Sequence, residues 1–237
     1  MAGDKPSVEL CKGINGLDKV VLRETRGSSA EVYLFGGQVT SWKNEHGEEL
    51  LFVSSKAIFK PPKAVRGGIP ICFPQFSSHG NLEQHGFARN KFWSIDTNPP
   101  QLPSNSLVKT FVDLILKPTD DDIKIWPHSY EFRLRVALTP GGDLMLTSRI
   151  RNTNSDGKPF SFTFAYHTYL LVSDIRFANY FLVSLLHLFY LLNILLQSFI
   201  VSITALHSSV ISTAYMMPKC DFCNIQRKDQ MERVHPV

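Results

Sequence analysis

The nine residues Tyr130–Leu138 alternate without a break: Tyr130, Phe132, Leu134, Val136 and Leu138 form one set, and Glu131, Arg133, Arg135 and Ala137 lie between them. A period of two places each set on its own side of an extended chain, so the stretch specifies a strand with one buried face rather than an amphipathic helix. Pro140-Gly141-Gly142 turns that strand into residues 143–152, and Asn154 to Gly157 turns those into the next apolar run. The same rhythm is present upstream. From Val20 to Val53 short apolar runs (KVVL, AEVYL, QVTSW, ELLFV) are separated by Gly27-Ser28-Ser29, Gly36-Gly37 and Asn44 to Gly47, and KFWSI at residues 91–95 reads as a further strand. The proline-rich residues 98–106 cannot sit inside a sheet. No long amphipathic helix precedes residue 176, and short strands with Gly and Pro turns predict an all-β sandwich.

A chain of 237 residues that is 43% hydrophobic can bury a substantial core, and one domain with an anomalous tail is the expected organisation. The net charge of +4 carries no run of five like charges and no nucleic-acid motif, so nucleic acid is not the expected partner. Cys11, Cys72, Cys220 and Cys223 are too few and too scattered for a disulfide framework, and MAGDKPSVELCKG lacks the apolar core of a signal peptide. A reducing, cytoplasmic setting is expected.

Two stretches break the strand rhythm with chemistry. Residues 60–90, KPPKAVRGGIPICFPQFSSHGNLEQHGFARN, carry too much Gly and Pro for regular structure and too many aromatic residues for a solvated linker. An ordered loop system is expected there, presenting Arg66, Gln84, His85 and Arg89. An arginine offers a planar fork of donors that suits an anionic, hydroxyl-rich ligand, although most loop arginines are merely solvated. The second stretch runs from Phe160 to His167, where Phe160, Phe162, Phe164 and Tyr166 share one face and Ser161, Thr163, Ala165 and His167 share the other. His167 therefore lies on a small, polar face open to a ligand. Histidine at such a place is structural more often than catalytic, and alternation alone leaves both roles open.

RGGIPICFPQF followed by EQHGFARN resembles the aldose 1-epimerase superfamily, in particular its hexose-6-phosphate mutarotase branch, and FSFTFAYHTYLLVSDI at residues 160–175 is similar to the segment carrying that family's catalytic histidine. The resemblance implies a galactose-mutarotase-like β-sandwich (supersandwich). It also implies interconversion of the α and β anomers of hexose 6-phosphates, chiefly glucose 6-phosphate, with His167 catalytic and Arg66, Gln84 and Arg89 binding substrate. His85 would be a second donor to a hydroxyl or the ring oxygen, or equally a residue that orients the loop. The chemistry calls for neither metal nor organic cofactor, and a monomer is expected.

Composition changes after residue 175. Between Phe177 and Pro218 there is no Asp, Glu, Lys or Arg, and Phe181 to Ile203 is long enough to span a bilayer as a helix. His187, Asn193, Gln197 and several serines interrupt it, so membrane association is not the preferred reading. The expectation is a family-like part, residues 1–175, and a non-family hydrophobic tail, residues 176–237, of the kind an intron read-through would supply. That tail is expected to leave the sandwich incomplete. The resemblance places a glutamate base and a further substrate-binding aspartate downstream of the matched region, where Asp221, Asp229 and Glu232 are the remaining candidates. A non-catalytic carbohydrate-binding sandwich and a membrane-tethered protein are the alternatives. Cys220 and Cys223 make a single CxxC, half of a zinc ligand set, and are read as incidental.

Overall fold

The computed structural model describes residues 5–99, 110–172, 201–205 and 209–216. Ser7–Lys12 (β1), Asp18–Arg23 (β2), Ser29–Tyr33 (β3) and Gln38–Lys43 (β4) form an antiparallel sheet in chain order. Ile71–Cys72 (β5) and Ser94–Ile95 (β6) bracket the loop system, followed by Thr110–Leu116 (β7), the short helix Asp120–Ile125 (α1), Tyr130–Leu138 (β8), Leu144–Asn152 (β9) and Phe160–Tyr166 (β10). Val201–Ala205 (β11) and Ser209–Met216 (β12) complete the described elements. Strands β12-β9-β8-β7-β6 make a second antiparallel sheet and β11-β10-β5 a third.

The alternation in β8 does what it predicts: Tyr130, Phe132, Leu134, Val136 and Leu138 are buried, while Arg133 and Arg135 are half-buried on the other side. That other side is an ionic ladder rather than bare solvent. Arg135 pairs with Asp113 on β7 at 2.8 Å and Glu131 with Arg151 on β9 at 2.7 Å, both across neighbouring strands, while Arg133 reaches past β7 to Asp96, just after β6, at 2.7 Å. The core joins the sheets: Val20, Leu22, Val32 and Val39 from the first meet Leu114, Phe132, Leu134 and Phe162 from the others. Phe73, just after β5, sits among them with the rings of Trp126, Tyr130, Phe132 and Phe162 at 5.1–5.7 Å, all edge-on.

One expectation is corrected, and two further strand groups lie outside the expected set. ELLFV, at residues 49–53, is not a strand but a series of isolated bridges, Lys43 to Glu49, Leu51 to Leu170 and Val53 to Gly67. The Glu49 carboxylate accepts from the backbone N–H groups of Trp42 and Leu51 at 2.8 and 3.0 Å, taking donors that a regular ladder would use, and shares the Leu50 N–H with the Trp42 carbonyl. Strand β1 adds to the expected strands: five of its six residues are exposed, and it is held by its antiparallel pairing with β2. The other group lies within the expected tail, residues 176–237. β11 pairs with β10 and β12 with β9, both antiparallel, so strand pairing continues past residue 175. A ladder is made by backbone groups and tolerates many sequences, and VSITA and SVISTAYM are rich in β-branched residues. Among the described residues no helix is long and apolar enough to cross a membrane, and the bulk of the apolar run, residues 181–200, lies outside them.

Candidate functional site

His167 follows directly on β10, and its N–H donates to the Pro70 carbonyl at 3.0 Å, extending the pairing of β10 with β5 by one step. Tyr169 N–H donates to Gly68 at 2.9 Å, and the Tyr169 carbonyl accepts from Phe52 at 2.9 Å. Residues 167–169 are thus held along 68–70. Gly68 has φ +64°, and a Cβ there would collide with the Val39 carbonyl, so no larger residue lets the chain pass this close to β4. Arg66 stands exposed at the start of this platform.

The opposite wall is the loop ending at His85. Gln75, buried after β5, donates from Nε2 to the Ser77 and Leu82 carbonyls at 3.1 and 3.2 Å and accepts from Leu82 N–H at 3.1 Å. His85 closes the loop twice, donating its N–H to Ser77 O at 2.9 Å and accepting Ser77 N–H on Nδ1 at 3.0 Å. Neutral His85 therefore carries its proton on Nε2, leaving that nitrogen as a donor. A one-turn 3₁₀ helix, Ala88–Asn90, then carries Arg89, seated by two N–H donors, Phe87 and Ala88, on the Phe73 carbonyl.

These walls bring the side chains together. The His85 and His167 rings meet edge-on at 5.3 Å, and the Tyr169 ring lies 4.8 Å from His167. Burial lowers the His85 pKa below 6.5, and the positive charge of Arg89 and the His167 ring lower it further. Burial raises the Tyr169 phenol, while Arg89 and Arg66 both act on it in the opposite sense, so the two guanidiniums share one neighbourhood. Arg89 also reaches Cys72, whose thiol burial pushes up to about 11, too high for a thiolate nucleophile at neutral pH. Gln84 enters differently from expectation: its side chain is exposed, and its carbonyl accepts from Arg89 at 2.7 Å. Among the described residues no cluster of His, Cys, Asp or Glu is placed to hold a metal ion.

Tyr169 and Gln75 escaped the sequence reading. Extending the alternation from His167 by two residues lands on Tyr169, so the signal was present; Gln75 was visible only as part of the FPQF run. A pH effect follows from the His85 clasp. The unfolded chain takes up the histidine proton near 6.5 and the folded chain only below it, so the clasp is fully stabilising above 6.5 and weakens as pH falls through the lowered value. The protection factor of the Ser77 amide should drop over that acid range and the drop should vanish in His85→Ala; a flat profile in the unsubstituted chain would contradict it.

Residues 18–181 match the sequence pattern of the family described as aldose 1-epimerase. The chain belongs to that family. The match extends six residues beyond the boundary expected at 175. A protein of Cenchrus ciliaris named "Putative glucose-6-phosphate 1-epimerase" is 74% identical over 170 residues, which are 72% of this chain and 52% of the relative. A protein of Escherichia coli K12 with the same name is 32% identical over 166 residues, 68% of this chain and 51% of the relative. The chain thus spans about half the length of the curated relatives it matches. A crystal structure of a "putative mutarotase" from Salmonella typhimurium superposes with a TM-score of 0.56 at 25% identity, covering 71% of this chain and 56% of the other. The galactose-mutarotase-like, antiparallel β architecture expected from the sequence is therefore the one adopted by this chain.

Proposed function

We propose that this chain binds hexose 6-phosphates, with glucose 6-phosphate foremost, and serves the interconversion of their α and β anomers. The observation that carries the reading is the meeting of His85 and His167 at 5.3 Å beside Tyr169, which feels both Arg66 and Arg89. Opening a hemiacetal ring requires a base to take the proton of the anomeric hydroxyl and an acid to protonate the ring oxygen. His167 is the acid. His85, through Nε2–H, polarises a hydroxyl. Arg66 and Arg89 hold the phosphate with charge-assisted hydrogen bonds, for which a neutral sugar offers no counterpart. Gln84 contributes by holding Arg89 through its carbonyl. The names of the two relatives support glucose 6-phosphate as the ligand. The free thiols of Cys11 and Cys72 support a cytoplasmic setting.

The second reading, a carbohydrate-binding sandwich without turnover, has one observation in its favour: no described carboxylate bonds to either histidine. Both readings require phosphate recognition, and titration calorimetry tests it. Arg89→Ala should weaken glucose 6-phosphate binding by about 1.5–3 kcal/mol, the usual worth of a hydrogen bond to a charged group. Equal affinity of the unsubstituted chain for glucose and glucose 6-phosphate would overturn the proposal. Turnover is tested separately, by anomer exchange that depends on His167.

A further inference from the structure

We infer that Gln38, at the start of β4, is a positioning residue for Arg66 and through it sets the preference of the site for phosphorylated over neutral hexoses. The inference rests on the reading of Arg66 as a phosphate-binding cation. Gln38 has no exposed surface, and its Nε2 donates to the Val65 carbonyl at 3.1 Å and the Gly67 carbonyl at 2.5 Å. Those two carbonyls flank Arg66. One side-chain amide therefore clamps the backbone on both sides of the cation, spending both of its N–H donors to do so.

The rest of the platform is fixed in the same manner. The Arg66 carbonyl accepts from Ser54 N–H at 3.1 Å, Gly68 N–H donates to Phe52 at 2.7 Å, and Ile69 N–H donates to Val39 at 2.8 Å. From Val65 to Pro70 only Arg66 is exposed, so the segment is a buried base from which one charged side chain projects. Arginine is long and loses much rotamer freedom when it binds an anion, so a fixed Cα lowers the cost of placing its fork. Gln38 Oε1 is buried with no hydrogen-bond partner, a cost that an apolar side chain would avoid only by taking the donor away from the Val65 and Gly67 carbonyls. What an apolar residue would not supply is the pair of donors on either side of Arg66.

The test uses the 237-residue chain and the ratio of its affinities for glucose 6-phosphate and glucose. Gln38→Met keeps the length and removes both donors. The ratio should fall by about tenfold or more, the order of loss that accompanies misplacement of a binding group by a fraction of an ångström, with glucose affinity little changed. In an Arg66→Ala background the same substitution should change the ratio no further, because the two residues act through one interaction. Equal loss for both ligands, or a full additional loss without Arg66, would make Gln38 a residue of the fold alone and overturn the inference. An unsubstituted chain that does not discriminate would overturn the phosphate reading itself, and the inference with it; discrimination that survives Gln38→Met intact overturns the inference only. Where Gln38→Met lacks a cooperative thermal transition, the unsubstituted chain decides by nitrogen-15 resonance. The Gln38 side-chain amide should shift on titration with glucose 6-phosphate and stay in place with glucose, and an amide unmoved by either refutes its role.

Discussion

Replacing Phe73 by alanine should cost about 3–5 kcal/mol of stability, the range for removing a fully buried aromatic ring. Phe73 has no exposed surface and is edge-on to the rings of Trp126, Tyr130, Phe132 and Phe162. These come from the chain before β8, from β8 itself and from β10, so the resulting cavity would open at the junction of two sheets. Natural domains retain only about 5–15 kcal/mol in total, which makes the loss a large fraction of the whole. The effect should reach the site as well. The Phe73 carbonyl seats Phe87 and Ala88, and with them the turn that carries Arg89. A urea titration followed by tryptophan fluorescence should show the midpoint lowered by about 1 M or more, given slopes of roughly 1–3 kcal/mol per molar urea for small proteins. Phe73→Leu should shift it less, because most of the apolar volume remains. A midpoint unchanged by alanine would show that the ring is not central to the core.

Much of this architecture was legible because alternation is a direct imprint of a two-faced strand. Tyr130–Leu138 carries the imprint over nine residues and forms β8 with those bounds, and Phe160, Phe162 and Phe164 are buried as the face assignment requires. Legibility failed where a side chain competes with the ladder. Glu49 takes the backbone donors of Trp42 and Leu51, and ELLFV reads as a strand although its pairing is broken into single bridges. In β11 and β12 the residues carry no clear alternation, and the strands pair with β10 and β9 through their backbones. For the site, Arg66, His85, Arg89 and His167 are picked out by the runs RGGIPICFPQF, EQHGFARN and FSFTFAYHTYLL and their resemblance to the family, not by charge, since Lys60, Lys63, His79 and Glu83 share the same loops. Gln38 and Gln75 do not stand out. Their importance comes from which carbonyls they reach, at separations of 27 and 29 residues for Gln38, and local pattern carries no trace of such contacts.

The largest effect on function is expected at His167. We propose that exchange between the anomers of glucose 6-phosphate, measured by magnetisation transfer, falls to the solvent rate in His167→Ala, since a positioned proton-transfer group contributes about 10²–10⁴-fold. The unsubstituted chain should itself be slow. Mutarotation needs a base opposite the acid, the family resemblance assigns that part to a downstream glutamate, and residues 177–218 contain no Asp or Glu. An acid working with water in place of its base forfeits a factor of the same order, so the 237-residue chain is expected to exchange anomers about 10²–10⁴-fold more slowly than a relative carrying both groups. Binding should suffer less than turnover, because Arg66, Arg89 and the His85 loop still meet the phosphate and hydroxyls, although the substrate-binding aspartate that the resemblance places downstream is missing from residues 177–218 along with the base. Weakened but phosphate-dependent glucose 6-phosphate binding with slow, His167-dependent exchange is therefore the expected combination. Fast exchange that His167→Ala abolishes would overturn the slow-turnover proposal while keeping His167 as the acid, and would direct the search for the base to Glu232, Asp229 and Asp221. Exchange unaffected by His167→Ala would remove the acid role and leave the carbohydrate-binding reading in its place.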